Sequence, residues 1–215
     1  MPMTRMPPAA RALCAAALSA AADPAPAEGP GTAEAAAMVI CQSPGAIGER
    51  TAALEAAGWA PLAPAGRDAA VARLAPGKAL ELLDINDGLP LAEAYRAARD
   101  DLGDSRDGTM GATGFRAGWF AAGTGADASY LLLAANDFMA ICDIALAGGA
   151  TAGALAAMTG LAPTSGRPLP GGSVTILGTP AVPRAITVYE PEAGAFAALA
   201  APAVTMVSLR WVGSG

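Results

Sequence analysis

The chain has 215 residues, and its formal net charge is −6. That length accommodates one domain with a real core, while the acidic balance and scattered arginines exclude a nucleic-acid partner, which needs clustered cations to displace counterions. Hydrophobic residues make up 53% of the chain, but alanine dominates them and Lys78 is the only lysine, a bias that a GC-rich bacterial genome produces without any membrane role.

Residues 1–22 read as a secretory signal peptide. Arg5 and Arg11 precede an apolar run from Ala12 to Ala22, and Ala20 and Ala22 supply small residues for cleavage before Asp23. The run is short for a bilayer span and no longer one follows, so no stable membrane insertion is expected after cleavage. Residues 23–31, DPAPAEGPG, form a Pro/Gly-rich disordered leader. Residues 32–215 are then a single domain. Cleavage removes Cys14 and leaves Cys41 and Cys142. An even pair in an oxidising compartment predicts a disulfide and a periplasmic or secreted location. Two free buried thiols, or one reactive thiol, are the alternatives.

A first helix is expected over 32–41, capped by Thr32 with Glu34 in its first turn. A second runs from Ser43, with Pro44 at its first position, to Gly58. WAPLAP (59–64) reads as a short extended segment at a sheet edge, because of its prolines. A short helix follows over 67–75. KALELLDIND is ambiguous between helix and strand, with helix preferred. The periodicity of Leu91, Ala94, Tyr95, Ala98 and Leu102 predicts a further helix ending at Gly103.

After Gly103 the pattern alternates. GFRAGWFA (114–121), GTGADAS and YLLLAA predict an antiparallel hairpin, with FMAICDIAL as a third strand. TAGALAAMTG is a helix ending at Gly160, and APTSGRPLPGG reads as a loop. SVTIL and AITVY are strands, PEAGAFAALA a helix capped by Glu190, and VTMVSLRW the last strand. The fold class is α+β, with a helical N-terminal part packed on a mixed, mostly antiparallel sheet.

The chain contains no histidine. That excludes Ser-His-Asp and Cys-His catalysis and imidazole relays, and it removes the commonest zinc ligands. No S-x-x-K motif surrounds Lys78, and the glycine runs lack phosphate-loop spacing. The acidic stretch holding Asp100, Asp101, Asp104 and Asp107 lacks the alternating oxygens of a calcium loop. No metal site, cofactor or catalytic residue is therefore assigned. Arg116, Asp137 and Asp143 are the weak candidates for binding. Arg116 alternates with Phe115 and Trp119 and could hold an anion. The two aspartates flank the most apolar strand, where a buried carboxyl would gain a raised pKa; the plainer expectation is a turn position for Asp137 and a solvent-facing one for Asp143.

These features predict an exported, non-catalytic binding, accessory or assembly protein of a bacterial envelope, whose partner is another envelope protein or a small ligand. The alternative is a glycan-cleaving hydrolase with two carboxylates across a cleft. Low aromatic content weighs against it.

Overall fold

The computed structural model describes residues 31–105, 109–110, 115–179 and 182–213. The segments expected to be a signal peptide (1–22) and leader (23–31) lie outside the described residues, apart from Gly31. Among the described residues are six helices and nine strands: α1 (Thr32–Gln42), α2 (Ile47–Ala56), β1 (Ala60–Pro61), α3 (Arg67–Ile85), α4 (Leu91–Asp104), β2 (Thr109–Met110), β3 (Phe115–Ala122), β4 (Ser129–Ala135), β5 (Met139–Ala145), α5 (Ala152–Thr159), β6 (Ala162–Leu169), β7 (Gly172–Thr179), β8 (Val182–Pro191), α6 (Ala193–Ala197) and β9 (Met206–Val212). The strands form one sheet in the order β1-β3-β4-β5-β9-β8-β7-β6, with β2 pairing to β3. Every pairing among them is antiparallel. The fold is α+β, with helices concentrated in the N-terminal half. None of the described helices is long and apolar enough to cross a membrane.

Helices cover both faces of this sheet. On one side Met38 and Cys41 of α1, Leu54 of α2 and Leu155 of α5 pack with Leu131, Leu133, Cys142, Ile144, Val207 and Leu209. On the other, Leu74 and Leu80 of α3, Ala98 and Leu102 of α4 and Phe196 of α6 pack with Trp119, Leu132, Tyr189 and Met206. Burial on both faces explains the run YLLLAA. Odd and even positions of β4 each need an apolar side chain, whereas a sheet wetted on one face alternates.

The predicted disulfide is present. Cys41 of α1 and Cys142 of β5 are bonded with Cα atoms 6.0 Å apart. Phe115, Ala117 and Trp119 share a face of β3, as the alternation predicts, and Val207 and Leu209 are fully buried. Trp211, the third member of that stripe, is only half-buried.

Several boundaries differ from the sequence expectation, each for a local reason. Ser43 does not start α2. Its hydroxyl donates to the Val39 carbonyl and so closes α1, while α2 begins at Ile47 with Glu49 accepting from the Ala46 N–H. The two segments either side of Pro76 form one 19-residue helix, α3. A mid-helix proline costs a hydrogen bond and crowds the preceding turn, but here Ala75, Pro76, Gly77 and Ala79 are all buried against the sheet, and that burial carries the helix through. Gly77 is what lets α3 approach β9: a Cβ there would lie 2.2 Å from Cβ of Met206. APTSGRPL is not a loop but β6, the outermost strand. Only its inner edge needs amide donors, so Pro163 and Pro168 are tolerated. The last helix, α6, is shorter than expected, because Glu190 and Pro191 complete β8 instead of capping it.

Candidate functional site

The sheet register sets Trp119, Leu132, Asp143, Ser208 and Thr187 side by side on five successive strands. This row lies under α3, so Asp143 points into the helix–sheet interface. It is 3% exposed, which corrects the solvent-facing placement expected from its polarity. Its Oδ2 receives Lys78 Nζ of α3 at 3.2 Å. Lys78 also pairs with Glu81 one turn on, at 2.5 Å, and Glu81 Oε1 accepts from Arg210 Nη2 at 2.8 Å. The four side chains form a chain of alternating charge from β5 through α3 to β9.

Burial alone would lower the pKa of Lys78, but the carboxylates of Asp143 and Glu81 outweigh it and hold the ammonium above the ordinary lysine range. Tyr189 on β8 has its phenol raised by burial first, and further by the charges of Glu81 and Asp84. Neither group is therefore a proton acceptor near neutral pH. The lysine is a buried counter-ion rather than a base or nucleophile.

Beside this cluster the sheet divides. β8 and β9 pair only from Ile186–Tyr189 against Met206–Leu209. Beyond that point β9 continues along β5 to Val212, while β8 runs back along β7 to Val182. A cleft of about 430 Å³ opens in the fork, lined by Gln42, Ala185, Thr187, Ser208, Arg210, Trp211 and Val212. Its floor is held rigidly. Arg50, buried beneath the fork, donates to the carbonyls of Ile40 and Cys41 at the end of α1, which a helix terminus leaves open, and to that of Gly45 in the connection to α2. The same guanidinium lies 5.0 Å from the ring centre of Trp211, a favourable cation–π distance. The Cys41–Cys142 bond then ties the residue before Gln42 to the central strand.

Two polar atoms of the cleft residues are buried without an intramolecular partner: Ser208 Oγ and Gln42 Nε2. Asp143 Oδ1, on the strand next to Ser208, is a third such atom. Buried polar atoms are normally hydrogen-bonded, so their clustering at one fork marks it out. The other two tryptophans described give their indole N–H groups to backbone carbonyls, Trp59 to Ala33 at 3.0 Å and Trp119 to Ser105 at 3.2 Å.

Of the binding candidates, only Asp143 belongs to this region. Asp137 sits exposed in the β4–β5 turn, where Asn136 Oδ1 accepts from the amides of Phe138 and Met139. Arg116 is exposed at the start of β3. Register places it in line with Ala135, Ala140 and Trp211, hence three strand spacings, about 14 Å, from the fork. Sequence reasoning missed Gln42, Lys78, Glu81, Thr187, Ser208 and Arg210. One signal was available: a lone acid in the most apolar strand and a lone lysine in a buried helix invite pairing. No family model, curated protein or solved structure matches this chain.

Proposed function

We propose that the chain is an exported, non-catalytic binding module of a bacterial envelope, and that the β8–β9 fork is its binding surface. The observation that carries this reading is the way the charged groups are used. Lys78, Glu81 and Asp143 neutralise one another behind the cleft, and the cleft itself is lined by hydroxyl, amide, guanidinium and indole groups that hold a ligand without moving its protons. The disulfide supports residence in an oxidising compartment. A glycan hydrolase needs two carboxyls facing across an open groove, about 5–10 Å apart. Among the described residues no carboxylate lines the fork, and the nearby pair shares one buried lysine.

Fractionation of the native host, with N-terminal sequencing and thiol alkylation, tests export. A chain starting near Asp23 in the envelope fraction, with both cysteines protected, is expected. A Met1-initiated chain with alkylatable Cys41 in the cytoplasm would overturn export. Hydrolysis of cell-wall glycan that disappears in Glu81→Gln or Asp143→Asn would overturn the non-catalytic reading.

A further inference from the structure

We propose that the β8–β9 fork receives a small organic carboxylate, of amino-acid to dipeptide size, with its carboxylate at Arg210 and Ser208 and its apolar part along Trp211 and Val212. The proposal rests on reading the fork as a binding surface and adds the class of ligand.

Size sets the first limit. At about 430 Å³ the cleft falls in the lower half of the range of small-molecule sites, too small for a folded partner. Charge sets the second. Among the described residues, Arg210 is the only charged side chain lining it. One nitrogen of its guanidinium is committed to Glu81 at 2.8 Å, which fixes the group and leaves its remaining donors available. A planar guanidinium held in this way suits a carboxylate. The ion pair with Glu81 also offsets part of its charge, so a monoanion is matched better than a dianion.

Hydrogen-bonding capacity sets the third limit. Ser208 is 4% exposed and its Oγ has no partner among the described residues. Gln42 Nε2 is a second orphan and is a donor. Leaving the Ser208 hydroxyl unpaired costs free energy, and an oxygen-rich anion at Arg210, two residues along the same face of β9, would supply its partner. Thr187 adds one more hydroxyl, and the remaining described lining is apolar: Ala185, Val212 and the ring of Trp211, against which Arg50 packs. A bare inorganic anion would leave that surface uncovered. Glu81 restrains the guanidinium and Arg50 packs on the ring before binding, which lowers part of the ordering cost of association.

The test uses the full oxidised protein with N-acetyl-leucine, its neutral amide and inorganic phosphate as probes, followed by NMR of the tryptophan indole N–H signals and by calorimetry. Saturable binding of N-acetyl-leucine is expected to shift the Trp211 signal and leave those of Trp59 and Trp119 in place. The amide and phosphate should each bind at least tenfold more weakly. Arg210→Gln should weaken N-acetyl-leucine tenfold or more, and Ser208→Ala several-fold, with melting temperatures close to that of the parent. Equal binding of acid and amide would overturn the carboxylate assignment while leaving a binding module intact. A phosphate affinity equal to that of N-acetyl-leucine would overturn the apolar half of it. Absence of any shift at Trp211 would overturn the site itself. None of these outcomes depends on where the protein resides, so a failure of export is read separately.

Discussion

Lys78 of α3 reaches Asp143 of β5 at 3.2 Å from the buried side of the sheet, and the two partners are not equivalent. Among the described residues Asp143 has Lys78 as its one cationic partner, whereas Lys78 also holds Glu81, and Glu81 also holds Arg210. Lys78→Met strands a buried carboxylate and should cost ~3–5 kcal/mol in urea denaturation. Asp143→Asn leaves Lys78 paired and should cost less, about 1–3 kcal/mol. The double variant Lys78→Met/Asp143→Leu should be milder than Lys78→Met alone. Equal losses for the two single variants would mean the pair contributes no directional dependence.

The same groups fix the alkaline limit of the fold. Lys78 binds its proton more tightly in the folded chain than at the ordinary lysine value of 10.5, so its contribution is complete below that value and is lost as pH rises through the raised one. Tyr189 acts in the same direction. Its phenol stays protonated in the fold after the unfolded chain has begun to ionise near 10.0. With no histidine present, the urea midpoint should be flat from about pH 6 to about pH 9 and fall beyond about pH 10. Tyr189→Phe should make that fall shallower. A midpoint that moves near pH 6.5 would contradict this account.

Reduction of Cys41–Cys142 should lower the melting temperature and leave a folded protein. The bond spans 101 positions, for which the chain-entropy model gives ~4.7 kcal/mol, and ~3–4 kcal/mol is the expected loss in practice. Comparing Cys41→Ala with the double alanine variant, both under non-reducing conditions, checks that the loss belongs to the bond and not to either thiol.

Gly77→Ala offers a test of the α3–β9 approach. Alanine is the better helix former by ~1 kcal/mol, yet its Cβ would lie 2.2 Å from Cβ of Met206. The net effect should be a destabilisation of ~1–3 kcal/mol, measured by the urea midpoint. Met206→Ala should not rescue it, since the clash is with the Cβ that alanine keeps.

Periodicity in the sequence was enough to place β3, β4, β5 and β9, because each strand carries consecutive or alternating apolar residues that no helix pattern explains. It failed at Pro76, Pro163 and Pro168. Proline is a local signal, and what decides its fate is whether burial sustains a helix or whether a strand lies at an edge. The disulfide was legible because composition and the predicted compartment left two cysteines to pair. The fork was not. Its residues come from α1, β8 and β9, and they meet only because β8 does not pair with β9 before Ile186. Hydropathy carries no trace of where two strands part.

The two outer margins of the sheet differ from its interior in a way that bears on self-association. One margin consists of the two-residue strands β1, with Pro61, and β2. The other is β6, with prolines near each end and Arg167 held back onto Asp84 of α3 at 2.7 Å. Neither margin presents a long, flat row of free amides, the usual template for strand-by-strand aggregation. Margins of this kind are expected to resist strand-by-strand association of copies even at high concentration.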